Sequence, residues 1–121
     1  MIISRNADVP PISVNAIEGK PMYGGDLKVK PLIKGSAMTC MEIHYQPGVG
    51  SAVHTHSHES LVYIVRGKVK VTVADESYIL ESGDVCRHPK GVAHSVEAIE
   101  ETVMVEIKSP APNIADFFQT N

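Results

Sequence analysis

Residues 67–75, GKVKVTVAD, set Lys68, Lys70 and Thr72 against Val69, Val71 and Val73. A period of two separates polar from apolar residues only when the chain is an extended strand with one buried face. Comparable runs recur along the chain: LKVKPLI (27–33), AMTCMEIHY (37–45), LVYIVR (61–66), SYILE (77–81), DVCRH (84–88), AHSVEAI (93–99) and ETVMVEIK (101–108). Between them stand QPGVG, DES, ESGD, PKG and IEE, turn formers of the length that joins antiparallel neighbours. Helix-period segments are nearly absent. Many short strands joined in this way predict an all-β sandwich or barrel and exclude a βαβ fold.

The 121 residues are read as a single domain, long enough to bury a core without staples, with no repeat or linker to divide it. Residues 1–35 carry Pro10, Pro11, Pro21 and Pro31 and are expected to form an N-terminal arm and edge strands, because proline cannot donate to a ladder. Residues 36–108 are expected to form the barrel. The tail 109–121, SPAPNIADFFQTN, reads as one helical turn from Asn113 with Phe117 and Phe118 as an apolar plug. Lys and Arg total 11 against 14 Asp and Glu, with no basic cluster, which argues against nucleic acid as a partner. The opening apolar run is short and no later one approaches the ~18 residues of a span, so no membrane partner and a cytoplasmic location are expected. Cys40 and Cys86 stand far apart in strand-like contexts and read as buried or half-buried thiols, not as a disulfide.

The stretch GSAVHTHSHESLVYIVRG (50–67) places His54, His56 and His58 on alternate positions. If residues 53–57 are extended, His54 and His56 share a face with Cα atoms roughly 6.6 Å apart. At that spacing two imidazoles can meet one ion at ~2.1 Å. His58 would lie ~13 Å from His54, so the third ligand is sought on another strand. His94 is the candidate, since the Pro89–Gly91 turn can aim the next strand back at the first. His44 alternates with Glu42 rather than with Met41, Ile43 and Tyr45 and reads as solvent-facing; His88, before Pro89, reads as filling a polar edge. Several unpaired imidazoles on one buried face are costly, and a divalent metal satisfies them together.

Residues 48–98 carry two motifs through which the chain resembles a small single-domain cupin of the conserved-barrel type. The first is similar to glycine, five residues, H-x-H, three or four residues, glutamate, six residues, glycine, through Gly48, His54, His56 and Gly67. The second is similar to glycine, five residues, P-x-G, two residues, histidine, three residues, asparagine, through Gly83, Pro89, Gly91 and His94, with Ala98 at the end. The resemblance implies an RmlC-like jelly-roll barrel of two antiparallel sheets with one divalent transition metal (Mn, Fe, Ni, Zn or Cu) held inside by the motif histidines. It also implies a homodimer, since small cupins commonly cover exposed edges by pairing two barrels. Where the pattern has its glutamate this chain has Ser60 or, with the longer gap, Leu61; Glu59 is one position early and reaches the ion only if the chain bulges after His56. The expected site is therefore a neutral triad of His54, His56 and His94, with His58, Glu59 and Ser60 as candidate additional ligands.

Three neutral imidazoles leave the full +2 on the ion, which favours oxygen-bearing anions as ligands. Glu59 is the expected general base; Tyr63 reads as core, Arg66 as a turn charge and Cys86 as a small buried group. The layout, including the Ser109–Pro110 pair after the last strand, resembles the small cupins of pectin and uronate degradation. It implies a metal-assisted isomerase or lyase acting on a small sugar acid or oxyacid. An iron dioxygenase and a non-catalytic small-ligand module are the alternative readings.

Overall fold

The computed structural model describes residues 1–113 and 118–120. After a single 3-10 turn at Asn6–Asp8 the described residues form β1 (Ile12–Ile17), β2 (Lys20–Tyr23), β3 (Leu27–Lys34), β4 (Thr39–Tyr45), β5 (Gly50–Ser51) and β6 (Glu59–Arg66). There follow β7 (Lys68–Val73), β8 (Glu76–Glu81), β9 (Val85–His88), β10 (His94–Ala98), β11 (Thr102–Ser109) and β12 (Phe118–Thr120). Every pairing is antiparallel. The strands run in the order β8-β7-β10-β5-β2-β1-β3-β4-β11-β6-β9, with β12 on β1. Folded at the β1–β2 hairpin, this order makes two facing sheets, the jelly-roll barrel that the alternating runs and the motifs predict.

The alternation in 67–75 is realised in β7, where Val69 and Val71 are fully buried. They face Val96 and Ala98 of β10 across the ladder and join Leu27, Val29, Met41, Ile43, Val62, Ile64 and Met104 in one core. Tight links hold the sheets in register. Gly67, between β6 and β7, has φ +101°, and a Cβ there would lie 2.3 Å from the carbonyl oxygen of Glu101, so only glycine fits.

The N-terminal segment departs from the edge arm expected of it. β3 lies between β1 and β4 inside the larger sheet, and β1 and β2 connect the two sheets. Pro31 is accommodated because the β3–β4 register shifts between Pro31 and Ile33, an irregularity that tolerates a missing N–H. The helical turn expected from Asn113 and the side-chain plug of Phe117 and Phe118 lie outside the described residues. The backbone of Phe118–Thr120 pairs with β1, Phe118 opposite Ile17. Among the described residues no helix is long and apolar enough to cross a membrane.

β11 holds the largest surprise. ETVMVEIK offers Val103, Val105 and Ile107 as its apolar alternation, yet of these only Val103 is buried and Ile107 is 38% exposed, while Thr102, Met104 and Lys108 of the other frame are all buried. The register explains it: Met104 stands between Ile43 and Ile64, Glu106 between Met41 and Val62, and Lys108 between Thr39 and Ser60. The inward rows are thus apolar in the middle of the barrel and polar at the end where the histidines gather.

Candidate metal centre

β5 stops at Ser51, so the extended segment expected over 53–57 is not formed; the chain from Ala52 to His58 is a loop pinned at defined points. His54 makes an isolated antiparallel bridge to His94, each N–H donating to the other's carbonyl at 3.0 Å. The N–H of Gly91, in the left-handed region at φ +74°, donates to the carbonyl of His56 at 3.0 Å. The H-x-H segment and the P-x-G turn are thereby stitched together through main-chain groups, and the histidine side chains follow.

The rings of His54 and His56 are 4.5 Å apart, those of His54 and His94 4.4 Å, and those of His56 and His94 4.7 Å. One nitrogen from each of the three lies within 4.8 Å of the others, and all three residues are buried. The remaining nitrogens are tied down. Nδ1 of His54 lies 2.6 Å from the carbonyl of Ala52, Nδ1 of His94 3.1 Å from that of Val92, and Nδ1 of His56 3.3 Å from Oε1 of Glu18. Carbonyls and carboxylates only accept, so each Nδ1 carries the proton and each Nε2 is the acceptor nitrogen of its ring. Burial lowers the pKa of all three: His94 is pushed down to about 3 by burial and then by His88 and His54, while His54 and His56 also fall below the ordinary range with burial the largest cause. Three neutral imidazoles with locked tautomers and converging Nε2 atoms fit a divalent transition metal, which needs deprotonated nitrogen donors oriented by outer hydrogen bonds.

The family profile described as Cupin domain matches residues 41–107, more than half of the chain and both halves of this site. The chain belongs to the cupin family. Oxalate decarboxylase OxdC of Bacillus subtilis (strain 168) is 29% identical over 84 residues, 65% of this chain and 22% of that protein, so the cupin spans about a fifth of the length of this curated relative. Among solved structures, an RmlC-like cupin from Shewanella frigidimarina has a TM-score of 0.81 at 23% identity, covering 93% of this chain and 94% of that one. KdgF from Halomonas sp. gives 0.79 at 18% identity, over 95% and 98%. A predicted oxalate decarboxylase from Thermotoga maritima gives 0.78 at 18%, over 90% and 99%. At these identities the solved structures show a shared fold.

Around the triad this cupin has its own arrangement. Glu59, expected as base or ligand, is not brought to the imidazoles: it opens β6 on the outer face, half-exposed, with Arg87 Nη1 3.6 Å from its Oε2. No bulge turns it inward, and strict alternation sends Ser60 inside instead. Ser60 is 1% exposed, but its hydroxyl accepts a hydrogen bond from Lys108 Nζ at 3.0 Å. His58 is buried and stacked on His56 with centroids 4.5 Å apart, outside the set of three converging nitrogens. Burial and then Lys108 push its pKa down to about 4. Tyr63, read as core, is 48% exposed on the outer face; Arg66, at the strand end, is exposed too. His44 sits on that outer surface beside Glu42, at 2.5 Å. Cys40 and Cys86 are free thiols; Cys86 packs against the core, and burial pushes its pKa up to about 11.

Sequence reasoning missed four groups at this end of the barrel. Glu18, on the β1–β2 turn at φ +52°, reaches His56. Lys108 and Glu106 line the cavity together, Nζ 3.1 Å from Oε1. Burial holds the Lys108 ammonium below its ordinary pKa; Glu106 lies below its own because the pull of Lys108 and the nearby imidazoles outweighs burial, which acts to raise it. His88, expected at a polar edge, is instead 2% exposed and lines the same cavity. The cavity is about 30 Å³, enough for an ion and a water and far too small for a sugar ring.

Proposed function

We propose that this cupin binds one divalent transition metal through His54, His56 and His94 and acts as a metal-assisted isomerase or lyase on a small oxyacid. The observation that supports it best is the convergence of one nitrogen from each of three buried imidazoles within 4.8 Å, each ring held by an acceptor at its Nδ1. The bound ion supplies Lewis acidity toward a carboxylate and its neighbouring oxygen. The chain supplies the rest. Lys108 places a buried ammonium on the cavity wall, able to attract the acid's negative charge, and Glu106 places beside it an ionised carboxylate that can accept a proton. Burial excludes bulk water and strengthens both effects. The small cavity favours an acid that enters by its carboxylate end, with any larger remainder at the mouth. The family relationship to an oxalate decarboxylase supports a carboxylate-bearing substrate, as does the positive Lys108 so close to the imidazoles.

The test begins with elemental analysis of protein isolated without added metal. Reconstitution with Mn, Ni, Zn or Fe then precedes anaerobic assays on small oxyacids, unsaturated uronates included. Anaerobic turnover that falls at least tenfold in Glu106→Gln, with metal occupancy kept and Glu59→Gln unaffected, is the expected result. Activity confined to iron and abolished without oxygen would shift the reading to a dioxygenase. Tight acid binding without metal or turnover would make the cupin a ligand-binding module.

A further inference from the structure

We propose that His88 is a fourth metal-binding imidazole, standing in for the carboxylate that this cupin lacks. The inference rests on the metal-binding reading above and adds a ligand to it. In the ladder between β6 and β9, His88 is the direct cross-strand partner of Ser60. Ser60 occupies the position at which the family pattern carries its glutamate, and its hydroxyl is already engaged by Lys108. The vacancy at Ser60 is therefore flanked on one side by an ammonium, which repels a cation, and on the other by an imidazole, which can bind one.

His88 has the features of a ligand rather than of an edge residue. It is 2% exposed and lines the cavity that the triad lines, although like His58 it stands outside the set of three nitrogens that lie within 4.8 Å of one another, so binding requires its ring to turn toward the ion. Its ring centroid lies 4.0 Å from that of His94, closer than the triad members lie to one another. Its Nε2 is 3.6 Å from Sγ of Cys86, a weak contact, and its Nδ1 is buried without a hydrogen-bond partner. A buried polar nitrogen with nothing to bind is destabilising, and a cation shared with His94 removes that cost. His88 immediately precedes Pro89, whose ring disfavours the helical region for it and holds it extended at the end of β9, so its ring is carried on a strand.

Four neutral nitrogens have a chemical consequence. A set of imidazoles without a carboxylate suits Zn, Cu, Ni and Co over hard, oxygen-seeking Mn or Mg. The site is thus expected to discriminate against Mn more strongly than a site containing glutamate.

The experiment is pulsed electron paramagnetic resonance of the Cu(II)-loaded wild-type protein, which counts bound imidazoles, repeated on His88→Gln and His58→Gln. Chelator competition with Zn(II) runs in parallel. Four imidazoles in the wild type and in His58→Gln but three in His88→Gln are expected, with Zn(II) affinity reduced in His88→Gln by more than the ~10–100-fold typical of losing an outer partner. Three imidazoles in the wild type overturn the assignment even if His88→Gln does not fold, and so does a count of four that persists in His88→Gln. A wild type that takes up neither Cu(II) nor Zn(II) fails the metal reading itself, a result distinct from a three-imidazole spectrum.

Discussion

His54 and His94 exchange both of their backbone hydrogen bonds, 3.0 Å each way, and hold their imidazoles 4.4 Å apart. The bridge joins residues forty positions apart and uses no side-chain atom, so the main chain sets the spacing before any metal arrives. His94→Ala should therefore leave the bridge and the barrel intact, because the apolar core lies in other rows. Metal affinity should fall by more than the ~10–100-fold of an outer-partner loss, since a two-ligand remnant is left. Equilibrium dialysis alongside circular dichroism checks this; full occupancy in the mutant would remove His94 from the site.

Glu18 tests the outer sphere. Its carboxylate accepts from Nδ1 of His56 at 3.3 Å and is partly exposed, so its removal opens no cavity in the core. Glu18→Ala should weaken metal binding ~10–100-fold by freeing the tautomer and ring angle of His56, with little change in thermal midpoint. Chelator competition on the two proteins reads it directly. Unchanged affinity would mean that the loop backbone alone orients His56.

How much of this was legible in the sequence follows from where the information lies. The period of two in GKVKVTVAD and the H-x-H and P-x-G spacings are local, and they led to the barrel and to His54, His56 and His94. The sequence leaves Glu59 and Ser60 undecided because choosing between them requires the face of β6, and LVYIVR is apolar in both frames. Tyr63 was assigned to the core for the same reason. Lys108 and Glu106 are hidden in ETVMVEIK because Val105 and Ile107 make the opposite frame the more apolar one; only the cross-strand positions of Met41, Val62 and Ser60 reveal the inner face at this end. His88 and Glu18 join the site through contacts that no sequence spacing encodes. The N-terminal prolines were read as edge markers because the rule assumes a regular ladder, and β3 takes Pro31 where its ladder is irregular.

The outward frames also explain an apolar strip. Leu61 and Tyr63 on β6, Val85 on β9 and Ile107 on β11 are each 38–57% exposed and stand beside one another across the ladders. We propose a second copy of this chain as the occupant, because one apolar strip meeting itself about a two-fold axis covers both surfaces at once. Sedimentation is expected to show twice the 13.1 kDa chain mass. Leu61→Lys combined with Tyr63→Glu should return it to a single chain without disturbing the interior. A wild-type protein sedimenting only as the single chain would remove the dimer.

The buried imidazoles also set an acid limit on the metal-free barrel. His94 and His58 titrate near 3 and 4 when folded, burial being the largest cause in each, against ~6.5 in an unfolded chain. Between those values the unfolded state binds more protons than the folded one, so stability rises with pH there and is lost as pH falls below ~6.5. Each such histidine approaches a slope of ~1.4 kcal/mol per pH unit below 6.5, so lowering the pH from 6.5 to 5 removes roughly 1.5 kcal/mol per residue and about 3 for the pair. Loss of this size is a large part of the 5–15 kcal/mol typical of a domain. Glu106, also held below its ordinary range, adds a further loss in the same direction at still lower pH. Urea melts of the metal-stripped protein should show a midpoint that is flat from pH 7 to 8 and declines steadily below 6.5. A midpoint constant down to pH 5 would mean that the folded cluster takes up protons freely, and the dry, neutral imidazole site would have to be abandoned.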